Sequence, residues 1–219
     1  MADYLLIALC MASFFAFAGE TLMAPFYPRD AVKKDVPEEL IGIILAAYPI
    51  ASFVVTPYVG YKLNQWNRKV CIVVGCVIQA LAVFFFFLCT YIQDEESYIA
   101  YSVALRMIGG IGCTLGFSAA YALAADCYKQ DFAKVLSYLE AAFGLAMSIC
   151  PAVGSFFYDL GGFPLPFIIV GGLGLAAAPL LILWIPRQTK HREVEQLIDE
   201  EEDDDIAEEN KSTGNISYC

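Results

Sequence analysis

VCIVVGCVIQALAVFFFFLCTYI, residues 70–92, runs for 23 positions without a charged side chain. A bilayer core about 30 Å thick is crossed by roughly 20 helical residues at about 1.5 Å each, so this stretch is long enough to span. It shows no alternation of apolar and polar positions, which excludes a barrel strand. In lipid a helix satisfies its own backbone amides, and helix is therefore the expectation. Five more segments meet the same requirement, at 4–26, 40–60, 98–125, 135–158 and 163–185, joined by short polar connections. The fold class expected is an all-α membrane protein, a bundle of six transmembrane helices. The first segment is expected to be a membrane helix rather than a signal peptide: Asp3 stands where a basic start belongs, and Pro25, Pro28 and Arg29 stand where a small-residue cleavage site belongs.

Composition agrees with this reading. Of 219 residues, 59% are hydrophobic and 17% charged, against about 45–50% and about 25% in a soluble domain. Of the 24 acidic residues, 11 lie between Glu193 and Glu209; the first 186 residues hold 13 acids and 9 bases, a net charge of only −4. The body has no basic surface to neutralise phosphates, so nucleic-acid binding is excluded. The eight cysteines sit mostly in apolar runs without metal-ligand spacing, and no metal or cofactor is expected. Residues 1–190 form the expected transmembrane domain. Residues 191–219, rich in Glu and Asp, form an expected disordered tail, too polar to offset the entropy of ordering.

Orientation follows from alternate loops. Lys62, Arg68, Lys69, Lys129, Lys134, Arg187, Lys190 and Arg192 fall on one side, and Arg29, Lys33 and Lys34 on the other. Eight against three leads to the expectation that both termini of this multi-pass protein are cytosolic.

Three ionisable residues lie inside spans, where each is costly unless paired or facing water. Glu20 and Arg106 lie at roughly 9 Å and roughly 12 Å from the same face by helix rise. Their matched depths allow an ion pair. Glu140 lies near the opposite face. Two readings stand for this set: a carboxylate, Glu20 or Glu140, that takes up a proton or a cation while Arg106 tunes it, or an ion pair that fixes helix packing, with a snorkelling or helix-end role for Glu140.

Several motifs resemble those of the major facilitator superfamily of transporters. The loop GYKLNQWNRK, residues 60–69, is similar to its cytosolic loop signature at Gly60, Arg68 and Lys69. Asn64 occupies the acidic position and Asn67 the second glycine, which implies a weakened charge relay between this loop and neighbouring helices. RMIGGIG, residues 106–112, resembles the fourth-helix element, with Arg106, Gly109 and Gly112; in that family the arginine is implicated in proton coupling. Gly144, Pro151 and Gly154 resemble the glycine-and-proline gating element of the antiporter branch, and Pro151 removes one backbone hydrogen bond. APFYP at 24–28, and Glu140 followed by Phe143, Gly144, Pro151, Gly154, Tyr158, Phe163, Pro166 and Phe167, are similar to the vesicular amine transporters, solute carrier family 18, and most to its polyamine branch.

The resemblance covers only the N-terminal six-helix half of that family. It implies proton-coupled antiport of a small cationic amine or polyamine in a vesicle or plasma membrane, along a path lined by the first, second, fourth and fifth spans. Its partners would be lipid, protons, the organic cation, and a second six-helix half or another copy. The alternative is a truncated, non-transporting scaffold or regulatory subunit. An enzyme is not expected, since the spans hold no paired His or Asp cluster and no nucleophile motif.

Overall fold

The computed structural model describes residues 2–34 and 36–185. Helix α1 (Ala2–Met23) stops where Pro25 disfavours helical backbone at Ala24, and α2 (Tyr27–Lys33) restarts with a proline in its first turn, so together they make the first span. Then follow α3 (Glu38–Lys62), α4 (Arg68–Phe85) with a 3₁₀ extension (Phe86–Tyr91), α5 (Glu95–Cys127), α6 (Phe132–Gly161) and α7 (Pro164–Trp184). Six segments are long and apolar enough to cross a membrane, and among the described residues no strand forms. The predicted spans all appear, with α5 beginning three residues earlier than the apolar run because Asp94 caps it. The Asp94 carboxylate accepts from Ser97 N–H at 3.0 Å, and hydrogen bonding from Ser97 holds its carboxyl below the ordinary range. The tail expected to be disordered lies outside the described residues.

Connections as short as 63–67, 92–94 and 162–163 cannot cross a bilayer, so successive spans run antiparallel. The last is a tight turn at Gly162, whose φ of 71° favours a residue without Cβ. Helix α1 runs through the centre, touching α4, α5, α6 and α7, while α5 lies between α3 and α4.

Two apolar clusters divide the core. One gathers Leu5, Leu9, Ile72, Leu123, Leu139 and Leu181 at the basic end, where α3 passes to α4. The other gathers Leu22, Phe26, Tyr27, Ile44, Phe86 and Phe167 at the far end. Between them lies a layer of small and polar residues, including Ala16, Tyr48, Cys113 and the buried Gln79 and Arg106.

Backbones close most tightly along α4 and α5. A Cβ on Gly75 would stand 2.3 Å from Gly116 N and 2.7 Å from Gly112 O. On the other side of α5, a Cβ on Gly110 would stand 2.5 Å from the Tyr48 carbonyl of α3. The glycines of the fourth-span motif therefore wedge α5 between two neighbours, the small-residue packing that membrane helices use in place of a hydrophobic drive. A Cβ on Gly60 or Gly144, also singled out by motif, would meet nothing within 4 Å beyond its own helix.

Lysines tie both ends. Lys69 donates to Ile182 O at 2.6 Å and Ile185 O at 2.5 Å, closing the last turn of α7. At the far end Lys34 donates to Cys89 O at 2.7 Å and Ile92 O at 2.5 Å, and its ammonium lies 4.7 Å from the centre of the Tyr98 ring. These are charge-assisted bonds to carbonyls that a helix end leaves unpaired.

The seam predicts a sharp contrast. Gly75→Val forces backbone apart and is expected to cost about 3 kcal/mol or more, whereas Gly60→Ala and Gly144→Ala stay within about 0.5 kcal/mol of the native chain. Thermal unfolding of the detergent-purified protein distinguishes them, and equal midpoints for all three would refute the seam.

Candidate functional site

A cavity of about 340 Å³ opens between four spans, lined by Phe17, Glu20 and Thr21 of α1, Ala24, Leu45 of α3, Arg106 of α5, and Phe143 and Met147 of α6. These are the first, second, fourth and fifth spans.

Arg106 is 4% exposed. Its Nη2 donates to the Leu45 carbonyl at 2.7 Å and its Nη1 to Met23 Sδ at 3.5 Å, while the guanidinium lies 5.0 Å from the centre of the Tyr48 ring. The Leu45 carbonyl is open to such a donor for a local reason. Four residues on stands Pro49, inside α3 and without an N–H, so the helix supplies Leu45 no backbone donor. Arginine, carbonyl and proline form one unit, and the tyrosine face adds a cation–π contact.

Glu20 shares the cavity but not the arginine. No ion pair joins the two, and among the described residues the carboxylate has no hydrogen-bond partner; the direct pair allowed by their depths gives way to the nearer Leu45 carbonyl. Around Glu20 the cavity is aromatic and soft, with Phe17 and Phe143 in edge contact at 4.4 Å and Met147 close by. Thr21 Oγ1 bonds carbonyls of its own helix and reaches Ala146 O at 3.5 Å, joining α1 to α6.

Glu140 stands apart. It is exposed, outside the cavity lining, and accepts from Tyr121 Oη at 2.7 Å. Of the gating motif, Gly154 abuts α1, where a Cβ would stand 2.5 Å from Leu22 Cδ1. Pro151 leaves Met147, a cavity residue, without its backbone donor, and Gly144 meets no neighbour.

The loop motif makes its contacts outside the loop. Asn64 is exposed, and its lack of charge implied a weak latch, yet Arg68 forms an ion pair with Asp126 and donates to Ala122 O at 2.9 Å, both on α5. The acid comes from the end of the fourth span rather than from within the loop. Asn67 contributes otherwise, capping α4 by accepting from Val70 N–H at 3.4 Å. Sequence reading missed Asp126, Leu45 and Pro49. A proline four residues after a carbonyl that faces an arginine-bearing helix was the signal available for the last two.

Residues 9–207 match the Major Facilitator Superfamily. The chain belongs to that superfamily. It is 25% identical over 166 residues to the MFS-type transporter SLC18B1 of Homo sapiens, covering 76% of this chain and 36% of that protein. Multidrug resistance protein 1 of Bacillus subtilis is 26% identical over 185 residues, covering 84% and 46%. Quinolone resistance protein NorA of Staphylococcus aureus is 23% identical over 173 residues, covering 78% and 42%. The chain thus spans less than half the length of these superfamily relatives.

The latch carries a prediction of modest size. With Arg68 11% and Asp126 47% exposed, solvent screens the pair, and Asp126→Asn is expected to cost about 1 kcal/mol. A double-mutant cycle with Arg68→Gln, read by thermal unfolding, should show positive coupling; strictly additive losses would mean that the pair holds nothing.

Proposed function

We propose that this superfamily member forms one wall of a transporter that exchanges protons for a small organic cation, an amine or polyamine, with Glu20 as the exchanging group. The observation that carries this reading is a carboxylate without a hydrogen-bond partner in a cavity whose guanidinium is already engaged by the Leu45 carbonyl. A cation entering the cavity has Glu20 as its counter-ion, and Phe17 and Phe143 offer π faces to a desolvated ammonium. A proton neutralises the same carboxylate. The two are mutually exclusive there, which is the elementary requirement for antiport. Arg106 remains charged and sets the field that Glu20 experiences. The likeness to a solute carrier family 18 protein supports an amine, while relatives named for multidrug and quinolone resistance widen the range to test. The basic loops support cytosolic termini, and Glu140, at the basic end, would hand protons to that side.

A second reading follows from the cavity's incompleteness. In a chain spanning 36–46% of its relatives' length, half of an alternating-access pathway is accounted for. The long outer faces of α3 and α6, with Phe53 81% exposed, suit either a second six-helix unit or lipid. A regulatory membrane subunit without transport of its own fits the same facts. A dimer stable in mild detergent favours the transporter, and a monomer that copurifies with a larger homologue favours the regulator.

The test is proton-gradient-driven uptake of labelled spermidine, serotonin and a quinolone into liposomes holding the 219-residue chain, with an uncoupler control. Uncoupler-sensitive uptake is expected, abolished in Glu20→Gln and in Arg106→Ala with protein still in the membrane. Uptake that survives Glu20→Gln removes that residue from the mechanism. Pro151→Ala, which restores a donor for Met147, should preserve expression and alter rate or leak; rates and leak equal to the native chain would leave it a packing residue.

A further inference from the structure

Beside Arg106 the packing leaves a second void of about 10 Å³, bounded by Gly19, Met23, Tyr48, Gln79, Arg106 and Gly109 among others. That is about the room one water needs. Two of its lining residues each carry a buried polar atom without a partner among the described residues: Arg106 at Nε and Gln79 at Oε1. Neither residue reaches solvent to make up the loss, since Gln79 is 2% exposed and Arg106 4%.

The orientation of Gln79 is settled by its other end. Its Nε2 donates to Ala16 O at 3.1 Å and to Tyr48 Oη at 3.3 Å, which uses both amide protons and turns Oε1 the opposite way. There it lies against Gly109, where a Cβ would stand 2.9 Å from the oxygen. Arg106 makes one bond from Nη2 to Leu45 and one from Nη1 to Met23, while its Nε–H is buried without a partner among the described residues. One donor and one acceptor thus border a space of single-water size, the pairing that buried waters satisfy.

We infer that one water is bound in this void, accepting from Arg106 Nε–H and donating to Gln79 Oε1, and that Gln79 is thereby a positioning residue for the guanidinium. Fixing Nε fixes the plane of the whole group, and with it the face that Arg106 presents to the larger cavity. Gln79 itself is outside that cavity's lining and acts only through the arginine. The inference deepens the transport reading by naming what orients its arginine. Its test needs no transport, so the two fail separately.

The full chain, labelled with ¹⁵N-arginine in detergent micelles, is read by NMR for magnetisation transfer from water to the Arg106 Nε–H, assigned by its loss in Arg106→Lys. The native chain should show the cross-peak of a long-lived bound water. Gln79→Glu, which keeps an acceptor oxygen, should retain it. Gln79→Met, of similar length without one, should lose it, and the order parameter of the Nε–H should fall below about 0.6, into the flexible range. Absence of the cross-peak in the native chain overturns the water. An unchanged order parameter in Gln79→Met overturns the positioning role. Should Gln79→Met not fold, Gln79→Asn, which withdraws the oxygen by one methylene, replaces it with the same two outcomes.

Discussion

A guanidinium inside a membrane-spanning helix costs about 2.5–3.5 kcal/mol even by the mildest insertion scales, and the arrangement of this bundle follows from how Arg106 is accommodated. It is met by a backbone carbonyl rather than by the nearby carboxylate. Pro49 makes this possible by leaving Leu45 O without a helical donor, so that a main-chain dipole stands ready at the depth of the arginine. Helices α3 and α5 must approach closely for the bond to form, and Gly110 against the Tyr48 carbonyl permits that approach. The consequence is electrostatic. Because the guanidinium is held by a neutral dipole, the Glu20 carboxyl is left without an ion pair, and both groups line one cavity.

The middle layer of the bundle is polar and small where its two ends are apolar and large. Ala16, Tyr48 and Gln79 form a hydrogen-bonded cross-brace between α1, α3 and α4, and the glycines of α5 let it be compact. Side chains of ordinary size would hold the helices apart there and leave the polar groups unpaired, which is the costlier alternative in a low-dielectric interior.

The spans were legible because apolar length is a one-dimensional property, and Pro25 and Asp94 explain where the helices depart from the apolar runs. Glu20 and Arg106 were legible as a matched pair of depths. Depth, however, does not tell which face of a helix a side chain takes, and competition from Leu45 O depends on a proline on another span. The partner of Arg68 was hidden from the sequence for a related reason. The loop pattern directed attention to Asn64, whereas Asp126 lies 58 positions away in the chain and close only in space. Gly60 and Gly144 show the converse, motif positions whose neighbours within this unit are absent. Local chemistry can be read from a string; the neighbour that completes it cannot.

The clasp made by Lys69 bears on how such a chain is made. Its partners Ile182 O and Ile185 O lie more than a hundred residues downstream, so the bond has no counterpart until the sixth span has been synthesised. Before then the ammonium has every reason to stay hydrated at the membrane surface. The clasp therefore cannot close before the sixth span has been made, and the third span becomes fully anchored only when the sixth has entered the bilayer beside it.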